Sequence, residues 1–127
     1  ALVEINRHLE AAVDDPSLFE HWTDLNLKFH ARLYQASGRK HLCRQIELLR
    51  DTVAPLIRIL ALQTGELRRS QGEHREMVVL FRAGDAAGVA RACKEHCAYT
   101  ARMLVKQLRT MPGARIDQKR DNAPEAA

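Results

Sequence analysis

The chain is short of aromatic residues, of long apolar runs and of paired cysteines, and these shortages close off classes of protein. No apolar run approaches the roughly 20 residues that cross a bilayer, and no signal-peptide pattern is present. That excludes a membrane-spanning or leader segment within this sequence. Three cysteines, an odd number without a framework spacing, argue against a disulfide scaffold and for a reducing compartment, so a cytoplasmic location is expected. Strand-like alternation and internal repeats are missing too. What remains is 46% hydrophobic and 28% charged with 5% aromatics, rich in Leu, Ala and Arg, over 127 residues. Such a chain is one soluble, mostly helical domain with a single core.

The net charge is +4, but no Lys/Arg stripe lies along one helix face, which argues against direct DNA binding by this chain. Part of the positive charge sits in "RTMPGARIDQKRDNAPEAA", which lacks apolar periodicity, carries two prolines and reads as a solvated tail over 111–127. Residues 1–110 then form the folded unit.

Five helical segments account for that unit. The first, about 1–13, carries Leu2, Ile5, Leu9 and Ala12 at helical spacing and stops at "DDPS". The second starts near Pro16 and Ser17 and runs to Ser37, with Gly38 suited to a left-handed cap. The third, about 40–62, carries Leu42, Ile46, Leu49, Val53, Leu56 and Leu60, with Pro55 expected to kink it. The fourth is predicted to open with a capping box, Ser70 and Glu73, ahead of His74, Met77, Val78 and Phe81. "AGD" at 83–85 ends it, and Asp85 caps a fifth helix that runs to about Arg109 with Val89, Cys93, His96, Thr100 and Met103 in line. Short connections between amphipathic helices make an antiparallel all-α bundle.

Three of the six histidines fall on these apolar stripes. His30 shares a face with Asn26, Leu33 and Ser37; His74 leads the fourth stripe; His96 lies between Cys93 and Thr100. His8, His21 and His41 sit near helix ends or charged neighbours and read as solvated. Each core histidine taken singly has a plain explanation, a hydrogen-bonded polar group in the core. Burying three such rings is costly unless all are paired. A divalent ion would satisfy them together, one lone pair from each neutral imidazole, and Asn26, one turn before His30, would offer its carbonyl oxygen. A rival cluster, Cys93, His96 and Cys97, suits zinc in ligand type. One helix turn presents at most two convergent ligands, however, and buried thiols are common packing residues.

"NLKFHARLYQASG" resembles the D/N-x-x-F-H-x-x-L-x-x-A-S-G signature of the FCD domain, the effector-binding C-terminal domain of FadR-type members of the GntR transcription regulators. "SQGEHREMVVLFRAGDAAGVARACKEH" is similar to the later signature of the same family: Glu-His opening a helix, then Gly-Asp, then a His on the last helix. The resemblance covers about residues 1–108. It implies a divalent ion inside an antiparallel helical bundle, held at Asn26, His30, His74 and His96, with a small organic acid at the open metal positions. It also implies a homodimer that contacts DNA through a winged helix-turn-helix domain, which this chain does not contain.

Three departures stand out. The first ligand position is Asn rather than the commoner Asp, the residue after the "ASG" turn is Arg39 rather than Asn, and the family's first effector-domain helix and winged helix do not precede Ala1. The missing initiator methionine favours a fragment over a regulator without a DNA-binding half. With three imidazoles and an amide, the charge of the ion is left to an incoming carboxylate to balance. Zinc, nickel or manganese would each fit, with one or two positions open. Arg50, beside the third helix's apolar stripe, and more weakly Arg58, are candidates to hold the effector's second carboxylate; the alternative for both is a surface arginine covering apolar area with its stem. Competing readings are a helix-bundle metalloenzyme, in which open positions activate water, and a structural bundle without metal. Against the enzyme, no carboxylate is expected on an inner face as a general base, since a capping role accounts for Glu73.

Overall fold

The computed structural model describes residues 1–111, apart from the side chains of Gln63 and Thr64. The solvated tail expected over 111–127 lies, from residue 112 onward, outside the described residues. Five helices follow one another: α1 (Leu2–Ala12), α2 (Phe19–Gln35), α3 (Lys40–Thr64), α4 (Glu66–Arg82) and α5 (Ala86–Thr110). The protein is an all-α antiparallel bundle, as the helical periodicities imply.

The connections show why it folds this way. Asp15 accepts a hydrogen bond from the Ser17 amide (2.9 Å) and caps a short 3-10 turn, Pro16–Leu18, that leads into α2. Gly38, at φ 69°, takes the left-handed conformation that reverses the chain between α2 and α3. At the α4–α5 corner Asp85 accepts from the Gly88 amide (2.8 Å). A Cβ at Gly88 would collide with the Asp85 carboxylate and lie 2.9 Å from Leu80, so this tight corner needs glycine.

The expected start of α4 needs correcting. Helix α4 opens at Glu66, a turn before Ser70, so the capping box does not form: Ser70 is buried inside the helix. Gly65, at φ 64°, ends α3 in a single left-handed residue, and Arg69 then joins Glu66 and Glu73 along a half-buried flank of the first turns. Helix α3 is continuous from Lys40 to Thr64 with Pro55 inside it.

The core lies between α1, α2 and α4. Leu2, Leu9, Ala12, Trp22, Leu25, Phe29, Leu33, Met77 and Val78 form one cluster, with Val89, Ala92 and Cys93 of α5 against it. Leu9, Phe29 and Met77 are wholly buried, each contributing about 1.5–3 kcal/mol of apolar transfer. Helix α1 packs on α2 and α4, α5 packs on α4, and α3 lies against α2, α4 and α5. Among the described side chains of α3, only Cys43, Leu60 and Ala61 are buried, whereas Leu42, Leu48, Leu49 and Leu62 are exposed. Phe81, expected on the inner face of α4, is also 39% exposed.

Candidate metal centre

The inner face of α2 is apolar except for Thr23, Asn26 and His30, and the last two are buried beside Phe29. Phe29 fixes the neighbourhood, its ring 4.5 Å from that of His74 and edge-on to His30 at 5.5 Å. From α4 comes His74 and from α5 His96; the former is wholly buried and the latter nearly so. The three imidazoles form a near-equilateral triangle, with ring centroids 5.1 Å (His30–His74), 5.0 Å (His30–His96) and 5.1 Å (His74–His96) apart. Their potential ligand atoms all lie within 4.8 Å of one another.

Hydrogen bonds around the triangle set which nitrogen of each ring faces inward. His74 Nδ1 lies 3.4 Å from Gln71 Oε1, and the Gln71 amide donates onward to Asn6 Oδ1 at 2.8 Å. With Nδ1–H donating to Gln71, His74 Nε2 keeps a free lone pair. His96 Nδ1 lies 2.5 Å from a Glu73 carboxylate oxygen, so its Nε2 is the nitrogen left without a hydrogen bond to Glu73. His74 Nε2 then faces His30 Nε2 at 3.3 Å. Two imidazole nitrogens about 2.1 Å from one ion at a tetrahedral angle would stand about 3.4 Å apart. Two lone pairs at that separation repel unless a proton or a cation lies between them.

Burial above all holds the His30 and His74 pKa values well below 6.5, helped by the positive charge of Arg50. Both rings are therefore neutral, the form that ligates. Asn26 Oδ1 and His30 Nδ1 are buried without a hydrogen-bond partner among the described residues. An orphaned carbonyl oxygen one turn from His30 carries a cost of about 1–3 kcal/mol that a cation would remove. The donor set fits a divalent ion.

The sequence reading missed Glu73. Its carboxylate does lie on the site, bridging His96 and Arg69, and Arg69 is in turn held by Glu66 and stacked 3.5 Å above the Tyr99 ring. The clue was available: Glu73 and His96 belong to helices joined by the "AGD" corner. A capping role beside Ser70 competes for the same glutamate in the sequence, and the contact to His96 crosses to another helix. Arg50 reaches inward from α3, its Nε buried and unpartnered, and its charge acts on His30, His74 and Tyr34. Arg58 instead donates to Thr23 Oγ1 (3.2 Å) and reaches Asp24 (3.4 Å), on the first turns of α2. The rival trio separates: His96 turns to the triangle, while Cys93 and Cys97 turn to Tyr34.

The family model of the FCD domain matches residues 1–99 of the chain. Searches of curated proteins and of solved structures each give no significant match.

Proposed function

Since the chain belongs to the FCD domain family, the ligand-sensing module of GntR-type transcription regulators, we propose that its bundle, residues 1–110, senses a small carboxylate through a divalent ion. Asn26, His30, His74 and His96 would hold that ion. The observation that carries this reading is the triangle of imidazoles from three helices, two of their nitrogens facing at 3.3 Å, beside the unpaired Asn26 oxygen.

The protein's own groups divide the work. Gln71 and Glu73 orient His74 and His96 so that the ring nitrogens converge. Phe29 and Trp22, whose ring stacks 6.5 Å from His74, keep water from the rings. Zinc, nickel or manganese would supply Lewis-acidic attraction for an anion, with one or two positions left for it. No anionic side chain is among the four ligands, and Arg69 already shares the charge of Glu73. A carboxylate effector would therefore complete the charge balance, and Arg50, half-buried with its Nε buried and unpartnered, would receive its second carboxylate bidentately. Arg58 is the weaker candidate for the same role, since Thr23 and Asp24 engage it.

Helices α4 and α5 each supply one ligand and meet at the tight Gly88 corner, so filling the site biases their relative position. A ligand shifts a dimer only by binding its two states unequally, and the α4–α5 pair is where that difference would arise. In a regulator of this type, DNA contact would fall to a winged helix-turn-helix domain and not to this bundle. The reading is of a sensor and not of an enzyme, because the carboxylate beside the site is committed to His96 and Arg69.

Metal content tests this directly. Mass spectrometry after reconstitution with zinc, nickel or manganese should find about one equivalent per chain, lost in His30→Ala and in His96→Ala. Thermal-shift screening of dicarboxylates should then raise the melting temperature of metal-loaded protein alone. No bound ion under any of the three metals would overturn the site. An ion held equally well with and without carboxylates would overturn the charge argument.

A further inference from the structure

A second cluster of ligating atoms lies on the other side of Tyr34 from the histidines. Cys93 and Cys97 occupy successive turns of α5 and turn the same way. The Cys93 thiol donates to the Tyr34 hydroxyl at 3.5 Å, and Cys97 Sγ lies 3.7 Å from the same oxygen. Four residues apart on one helix and turned to one oxygen, the two sulfurs share a face of α5. Neither is sealed in the core: Cys93 is half-buried and Cys97 exposed. Both line an open groove of about 890 Å³ between the end of α2, the start of α3 and the α4–α5 corner.

The chemistry of the groove narrows what two thiols there would take. Its walls are mainly apolar, with Leu33, Leu42, Ile46, Phe81 and Val89 among them. Asp85, the carboxylate in the lining, is already bonded to the Gly88 amide. Hard cations, which need five or six oxygen ligands, find too few here. Zinc would want four donors. A soft monovalent cation is satisfied by thiolates alone and tolerates apolar surroundings. Lys94 and Arg39, also at the groove, offset the negative charge that such a complex carries.

We propose that Cys93 and Cys97 form a two-thiolate site for monovalent copper, separate from the imidazole triangle and opening on the apolar groove. Binding replaces two S–H bonds by two S–Cu bonds: one cuprous ion and two thiols give a bis-thiolate complex of charge −1 and two protons. No electron is transferred. Cys43 takes no part, because its thiol donates to the Tyr34 carbonyl oxygen at 3.3 Å, at the backbone end of that residue.

The test is an anaerobic titration of the purified chain with cuprous ion in competition with a chromogenic cuprous chelator. One equivalent should resist the chelator in the wild type, in Cys43→Ser and in His30→Ala, and be lost in Cys93→Ser and in Cys97→Ser. Retention of copper by both α5 serine variants would overturn the site, and so would its loss in His30→Ala, which would place the ion on the imidazoles. X-ray absorption at the copper edge of the wild type guards against misfolded variants: two sulfur neighbours support the site, and a nitrogen-dominated shell overturns it.

Discussion

Helices α2 and α3 are both amphipathic by sequence, and the bundle treats them differently. Helix α2 buries Trp22, Leu25, Phe29 and Leu33 along one face and brings Asn26 and His30 into the same dry interior. Helix α3 is eight residues longer (25 against 17), yet it leaves Leu42, Leu48, Leu49 and Leu62 at 48–68% exposure. A stripe of apolar residues therefore says which side of a helix can be covered, not whether anything covers it. On α2 the cover comes from α1 and α4, and polar groups trapped beneath it must find partners. On α3, Arg50 reaches inward with its Nε buried and unpartnered, although much of the apolar stripe of that helix stays uncovered.

Truncating the covered side should have the largest effect. Phe29 is wholly buried and touches the His30 and His74 rings. Phe29→Ala should cost about 3–5 kcal/mol in urea unfolding and should also loosen the triangle. A loss below about 1 kcal/mol, small for a buried side chain, would mean that the α2 side is no better packed than α3.

Acid should attack the same side next, in protein stripped of metal. The His30 and His74 pKa values are held well below 6.5 in the folded state, while the unfolded chain takes up protons near 6.5. Below that pH the unfolded state binds more protons, so stability is full above 6.5 and falls as pH drops through it. The expected slope approaches about 1.4 kcal/mol per pH unit for each ring. His30→Gln should remove about half of it, and a flat profile between pH 6.5 and 5 would show that the rings are not buried neutral.

Much of this was legible in the residues. Helical spacing gave the five helices, and the apolar stripes singled out His30, His74 and His96, with Asn26 one turn before His30. What stayed hidden follows from physics that one helix does not carry. The start of α4 at Glu66 depends on Gly65 alone adopting a left-handed conformation, and Ser70 offered a persuasive local alternative. The Glu73–His96 contact crosses two helices, so a rule about neighbours within one helix assigned the carboxylate to its own N-terminus. Exposure of Leu42, Leu49 and Phe81 depends on which helices stand opposite, and periodicity is silent on that.

Glu73 offers the next, smaller test. Glu73→Gln keeps the size of the side chain but weakens its hold on His96 Nδ1 and on Arg69. Affinity for a reconstituting zinc ion should fall 10- to 100-fold, read by competition with a chelator, with the fold unchanged by circular dichroism. An unchanged affinity would make the Glu73–His96 contact a feature of packing alone.

The smallest effect is expected on α3, and its dependence on concentration is what makes it informative. Leu49 is 68% exposed, so Leu49→Ala in dilute protein should change stability by no more than about 0.5 kcal/mol. If a second copy covers the α3 stripe, as the proposed dimer allows, association stabilises the folded state by mass action. The cost of Leu49→Ala should then grow as protein concentration rises, while that of Phe29→Ala in the interior of one chain should not. Urea unfolding of both variants at two concentrations a hundredfold apart separates the cases. A constant small cost would leave the α3 stripe solvated at every concentration and move the dimer contact to another face.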